Sequence, residues 1–308
     1  MIATARRHPL VTTIVTVPLV VALAVAGSFA LWLGGVRVPF ASGAVWFQVT
    51  KTATADYSPA PNQPVFLLAL GNDGRPGDTS TRGDAIHLIG VNPTLHQATI
   101  LDFPRDTGLP IPGHGLDKVN AAHVFGGVRL QAQTLANAVG VQVPYAIDTN
   151  FPGFISMVDE MGGLQVTVPE KMHDSYSGAE FDPGPQHLNG QQALAFARNR
   201  HQFPTGDLKR SENQGYLILS ALTQLRAANT GPVGTLSLLA DLGRHTQLDG
   251  IGLRDLYDLA RLGLSIDPTK VRNVVVPVVS GTGTRLQLGP GAQSLFADFA
   301  DDGVLQSH

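Results

Sequence analysis

Hydrophobic positions along this chain fall into three patterns: one long uninterrupted stretch, several short β-rich runs, and stripes at helical spacing. The long stretch covers residues 10–33, which carry no charge and follow Arg6, Arg7 and His8. It is long enough to cross a bilayer as a helix. The positive flank predicts a cytoplasmic tail over 1–9, with everything beyond the helix exported. A cleaved leader is the rival reading, because Ala24-Val25-Ala26 resembles a cleavage site. Apolar residues continue through Phe29, Leu31 and Leu33, which favours an uncleaved signal-anchor. The chain is thus expected at the cell membrane as a single-pass protein with an extracytoplasmic C-terminal domain.

Residues 34–63 read as a juxtamembrane connector ending in a proline-rich segment, although Trp46 and Phe47 could instead pack on the domain. The domain proper is placed at 64–308. The run over 65–70 predicts a buried strand, and runs over 85–91 and 98–103 predict a hairpin around Asn92-Pro93-Thr94. Val128, Ala132, Leu135 and Val139 mark one helix face that Gly140 would end. Phe151, Phe154, Ile155 and Val158 mark another, with Asn150 as N-cap and Gly162 beyond its end. Further helices are predicted over 190–198, 207–226 and 254–264. The β-branched run over 271–279 predicts a central strand. Strands interleaved with helices give an α/β fold, a mixed central sheet flanked by helices.

Composition narrows the chemistry. The chain has no cysteine, so disulfides, thiolate metal sites and a Cys nucleophile are excluded. Its net charge of −3 argues against a nucleic-acid binder. The ten histidines show no tight ligand spacing; His87, His123 and His201 read as structural or substrate-edge residues.

Charge is sparse at 15% of residues, yet Arg198, Arg200, Asp207, Arg210 and Gln214 fall close together. At roughly 100° per residue, Asp207, Arg210 and Gln214 share one helix face. Arg198 and Arg200 converge on a common ligand only if their helix ends near Arg198. Converging guanidinium forks suit phosphate oxygens; a solvated helix end with a surface ion pair is the plainer reading. Beyond Gln214 the stripe continues through Ile218, Ala221 and Leu225. Polar then apolar along one face is what a lipid pyrophosphate would need, and an ordinary buried helix face would look the same. Gly71, Gly74 and Gly77 follow the first strand, without the Gly-Lys-Ser/Thr of a P-loop.

These segments join others in a fixed order: Pro104-Arg105-Asp106-Thr107; Lys118-Val119-Asn120-Ala121-Ala122 with Gly126-Gly127; Asp148-x-Asn150-Phe151-x-Gly153-Phe154 with Asp159-x-x-Gly162-Gly163; and Ala193-Leu194-x-x-x-Arg198-x-Arg200 with Asp207-x-x-Arg210-x-x-x-Gln214. Over a core at 65–225 the chain resembles the LytR-CpsA-Psr family of bacterial cell-wall enzymes. The resemblance implies an extracytoplasmic phosphotransferase that moves a glycopolymer from a polyprenyl-pyrophosphate carrier onto peptidoglycan and releases polyprenyl phosphate. It implies Mg²⁺ held by Asp73 and Asp84. It implies a pyrophosphate bound by Arg82, Arg105, Arg198, Arg200 and Arg210, with Asp207 and Gln214 positioning that cluster. The attacking hydroxyl needs a proton acceptor, for which Asp106 and Asp73 are both candidates. Two alternatives share the site: a hydrolase of polyprenyl pyrophosphates, and a non-catalytic membrane-bound regulator or binder of lipid-linked sugars.

Overall fold

The computed structural model describes residues 47–52, 62–74, 81–203, 205–228, 231 and 245–306. The predicted tail over 1–9, the predicted membrane helix over 10–33 and the loop residues after Gly74, Gly77 among them, lie outside that set. No helix among the described residues is long and apolar enough to cross a membrane.

A seven-stranded mixed sheet organises the domain. Its strands are β1 (Phe47–Lys51), β2 (Val65–Asn72), β3 (Gly83–Asn92), β4 (Gln97–Asp102), β7 (Tyr145–Asn150), β12 (Thr246–Asp249) and β13 (Val271–Val275). Their spatial order is β12-β1-β7-β2-β3-β4-β13; outside this sheet β5 (Gly108–Ile111) pairs with β6 (Gly115–Lys118), and β9 (Met172–Asp174) with β10 (Ala179–Phe181). β3 and β4 form the expected antiparallel hairpin. β2 runs antiparallel to β3 and parallel to β7.

Alternation along β2 assigns the two faces. Phe66, Leu68 and Leu70 enter a core with Ile86, Leu88, Leu101 and Phe103. That core is covered by α1 (Ala121–Val139) and α6 (Ala292–Asp302), which bring Leu135, Phe296 and Phe299. The opposite face carries Leu67, Ala69 and Gly71, and looks onto α2 (Phe151–Glu160), α3 (Gly190–Arg198), α4 (Gly206–Ala228) and α5 (Leu253–Ser265). A second core, with Val158, Leu164, Val166, Phe196 and Leu217, joins α2, α3 and α4 to the antiparallel pair β8 (Leu164–Val168) and β11 (Gly184–Leu188).

Local signals explain the helix limits. Gly140 ends α1 in the left-handed region at φ 84°. The Asn150 side chain accepts from the Gly153 N–H and caps α2. Asn189 and Gln192 form a reciprocal capping box on α3. That helix packs closely on α2, since a Cβ at Gly190 would collide with the Ile155 carbonyl.

Two expectations change. The run over 271–279 is not a central strand. β13 lies at the sheet edge beside β4, and Pro277, which has no N–H for a ladder, separates it from β14 (Val278–Ser280). β14 pairs instead with β15 (Leu286–Leu288). Strand propensity reports a fit to a pleated surface and does not fix position within the sheet. The stretch over 34–63 is not connector throughout. β1 sits inside the sheet, antiparallel to β7 and parallel to β12, so the boundary at 64 cuts through the domain.

A chain truncated to begin at Pro64 therefore loses β1 and detaches β12. It should be less stable than one beginning at residue 46 by at least about 3 kcal/mol, from the burial of Phe47 and Val49 alone. Urea unfolding of the two chains measures the difference, and equal midpoints would contradict the pairing.

Candidate active site

Between the open face of the sheet and helices α2 to α5 lies a cavity of about 1230 Å³. One end is charged. Asp73, Asp84, Arg105, Arg198, Arg200 and Arg210 all line it. The remainder is apolar, with Leu67, Ala69 and Ile147 from the sheet and Phe154, Met157, Leu217, Ile218, Ala221, Leu222, Leu225 and Leu259 from the helices. The stripe predicted on α4 thus faces this space, polar at Arg210 and Gln214 and apolar beyond.

The arginines meet because of how α3 ends and α4 begins. α3 stops at Arg198, and Asn199 continues in extended conformation (φ −62°, ψ 122°). Arg198 and Arg200 can then approach one space, as the two-residue spacing required. The Arg198 guanidinium stacks over the Phe151 ring at 5.3 Å. α4 opens at Gly206, where a Cβ would collide with the Arg200 carbonyl. The Gln214 amide donates to the Ala197 carbonyl at 3.2 Å and ties α4 to the end of α3.

Asp207 is the centre of this arrangement. Its Oδ1 lies 2.7 Å from Arg210 Nη2, 3.6 Å from Arg200 Nη1 and 3.9 Å from Arg105 Nε. Both Asp207 oxygens, Arg105 Nε and Arg210 Nε and Nη2 are buried without an aligned hydrogen bond. The contacts are therefore electrostatic, and donor capacity is left unused. Arg105 arrives from the turn after β4, where the Thr107 hydroxyl donates to the Pro104 carbonyl. Its Nη1 donates to Asp84 Oδ1 at 2.7 Å. Burial, the largest single influence, disfavours charge on Arg105, but the Asp84 hydrogen bond and the charges of Asp84, Asp207 and Asp106 together outweigh it and hold its pKa above the usual arginine value. Arg210 shifts the other way: burial, with Arg105 and Arg200 nearby, outweighs Asp207 and Asp84. Guanidinium does not deprotonate in proteins, so the shift expresses an excess of buried positive charge that an anion would relieve.

On the other strand ends, Asp73 Oδ1 accepts from the Arg82 backbone N–H at 3.1 Å. Asn72 donates to Asp148 at 2.8 Å, and His123 lies 3.4 Å from Asp148. The Arg82 side chain stands apart from the charged end; it lines a smaller hollow with Lys118 and Phe125. Asp106 pairs with Lys118 at 2.9 Å and is not among the residues lining the main cavity.

Three features go beyond sequence reasoning, which reads His87 and His201 as structural or substrate-edge residues without assigning their partners. His87 is buried, lines the cavity, and bonds Asp102 at 2.6 Å across β3 and β4. Burial raises the Asp102 pKa above the ordinary carboxylate value despite that partner. Asp174, on β9 (Met172–Asp174), accepts from the N–H groups of Arg200, His201 and Tyr176 at 3.0, 3.1 and 3.0 Å. Tyr176, Ser177 and His201 line the cavity as well. The alternation over 164–168 and the Asp174-to-Gly178 turn were the available signals.

Burial alone would raise the Asp174 pKa, but the Arg200 and His201 N–H groups hold it well below the usual carboxylate range. A depressed folded-state pKa stabilises fully above the unfolded value, about 3.9, and is lost as pH falls below it. Asp174→Asn should cost about 2 kcal/mol at pH 7. The gap from the unmodified chain should close below pH 4 in urea unfolding at stepped pH. A gap that persists unchanged at pH 2.5 would contradict the assignment.

Comparison with known proteins places this geometry in context. Residues 46–294 match the LytR_cpsA_psr family model. A polyisoprenyl-teichoic acid–peptidoglycan teichoic acid transferase TagU from Bacillus cereus (strain AH820) is 40% identical over 154 residues, 50% of each chain. The chain thus spans about half the length of that curated relative. Among solved structures, TagT bound to LI-WTA superimposes with a TM-score of 0.64 at 24% identity, covering 82% of this chain and 96% of that one. The family protein YwtF (TagT) with bound octaprenyl pyrophosphate lipid gives a TM-score of 0.61 at 23% identity, covering 82% and 95%. With the family model matched over most of its length and the fold shared, the chain belongs to the LytR-CpsA-Psr family.

Proposed function

We propose that the protein is an extracytoplasmic phosphotransferase. It takes a glycopolymer from a polyprenyl-pyrophosphate carrier, transfers it to peptidoglycan and releases polyprenyl phosphate. The observation that carries this reading is a single cavity with arginines around one carboxylate at one end and an apolar lining along the rest. Phosphate seeks the first and an isoprenoid tail the second. The TagU relative carries the corresponding activity in its name, and a relative of the same fold holds octaprenyl pyrophosphate. The anchor over 10–33 would keep the domain at the outer face of the cell membrane, where the lipid carrier lies.

In the reaction an acceptor hydroxyl attacks the sugar-bearing phosphorus. A new O–P bond forms, the bond to the bridging oxygen breaks, and the lipid phosphate leaves with the electron pair. Little covalent chemistry is asked of the protein; alignment and charge neutralisation dominate. Arg105, Arg200 and Arg210 supply the charge, and Arg198, stacked on Phe151, closes the cluster. Asp106 is engaged by Lys118, which leaves Asp73 as the carboxylate of the two that can meet an incoming hydroxyl.

No group of three or more His, Asp or Glu side chains among the described residues could hold a metal alone. Asp73 and Asp84 both line the charged end. Two carboxylates completed by substrate oxygens suit Mg²⁺, a hard cation. When bound, Mg²⁺ would neutralise charge developing on the phosphate oxygens.

Arg105→Ala or Arg200→Ala should lower transfer of lipid-linked polymer to peptidoglycan by roughly 100-fold or more, with the circular dichroism spectrum unchanged. Wild-type rates in both would refute the phosphate site. Free polymer released in place of conjugate would make the enzyme a hydrolase. Excess chelator should stop transfer and added Mg²⁺ restore it, and Asp73→Ala and Asp84→Ala should each raise the Mg²⁺ concentration needed. Full activity in chelator would remove the metal.

A further inference from the structure

We infer that Tyr176, backed by His201, forms a stacking platform for the pyranose ring of the sugar attached directly to the pyrophosphate. The inference rests on the lipid-pyrophosphate reading and adds a subsite to it. Tyr176 is the most exposed large hydrophobic side chain among the described residues, at 77%. It is nonetheless well anchored. Its N–H donates to Asp174, and its ring packs on the His201 ring with centroids 4.4 Å apart and planes at 36°.

Exposed aromatic area is costly unless something covers it. Tyr176 sits on the lining of the cavity, and the carboxylate that holds its N–H also holds the N–H groups of Arg200 and His201. One buried group therefore locks the ring to the segment that carries a phosphate-directed arginine. A ligand phosphate at Arg200 would place its next group within reach of this ring. In a sugar pyrophosphate that group is a pyranose, whose axial C–H face is apolar and whose rim is polar. An aromatic face of negative quadrupole meets such C–H groups well, and the Tyr176 hydroxyl, the His201 ring and Ser177, which shares the lining, offer partners for the rim. A lipid tail has no use for this mixture, and a bare phosphate none for the ring.

Two probes separate the subsite from the site beneath it: farnesyl pyrophosphate, and the same lipid carrying N-acetylglucosamine on its terminal phosphate. Each is titrated calorimetrically into the full 308-residue chain in detergent, as wild type, Tyr176→Ala and Tyr176→Phe. Tyr176→Ala should weaken the sugar-bearing probe roughly 3- to 10-fold, the range of an aromatic contact, and leave farnesyl pyrophosphate unchanged; Tyr176→Phe should keep most of the sugar-dependent affinity. A Tyr176→Ala chain that binds both probes as wild type does, or loses both equally, overturns the platform while leaving the pyrophosphate site standing. An effect confined to the KM for soluble peptidoglycan fragments would give the ring to the acceptor and overturn its assignment to the donor sugar. If the wild-type chain binds neither probe, the lipid-pyrophosphate reading fails and the subsite falls with it.

Discussion

Three of the arginines at the charged end of this protein gather around one carboxylate. Asp207 faces Arg105, Arg200 and Arg210 from three different elements. At an effective dielectric near 20, unit charges 4 Å apart interact by about 4 kcal/mol. Repulsion among the three cations is of the same order, so one anion stabilises their approach without cancelling it. The place of Asp207 in the first turn of its helix adds to its fitness, because the helix N-terminus favours negative charge. The result is a surplus of donors, already gathered and partly desolvated. Preorganisation of this kind is what a phosphoryl-transfer site requires, since donors already in place need not be reorganised as charge develops.

The sheet divides its labour by face. One side is filled by Leu68, Leu88, Leu101 and Phe103 against the aromatic rings of the C-terminal helix; Phe66 lies 5.2 Å from Phe299 and Phe103 lies 5.8 Å from Phe296. The other side carries small groups at Ala69, Gly71 and Ala85, and the helices opposite do not close on it. A volume of about 1230 Å³ exceeds the ~300–1,000 Å³ common for small-molecule pockets. A long apolar ligand is the economical account of such a space. The dense face is what allows the other to stay open.

What was legible in the sequence follows from range. Helix ends announced themselves through neighbours: Asn150 before its helix, Gly140 after another, and the capping pair Asn189 and Gln192. The α4 stripe was readable because seven of its residues from Arg210 to Leu225 lie on the cavity side. Which of two meanings it carried, core or cleft, was not, because lining and packing use the same residue types. The pairing of His87 with Asp102, and of Asp174 with a loop 26 residues away, joins positions with no local signature. Arg82 illustrates the converse. Its backbone N–H serves Asp73, but its side chain points to a hollow beside Lys118, a distinction no motif spacing can express. Pro277 stands inside the run over 271–279, and the β-branched residues on both sides of it mask the break it makes.

The register of the first strand has a kinetic consequence. Phe47 pairs with Thr246, and the sheet's opposite edge is completed only by Val271–Val275. Both outer strands thus come from the last third of the chain, while β1 comes from the beginning of the domain. A polypeptide synthesised from its N-terminus presents β1 long before its parallel partner exists. Contacts of such long sequence separation are slow to form, because loop closure must precede the reward of pairing. During that interval an apolar cleft and an unpaired strand edge would stand exposed together, so folding speed, rather than final stability, becomes the property under pressure.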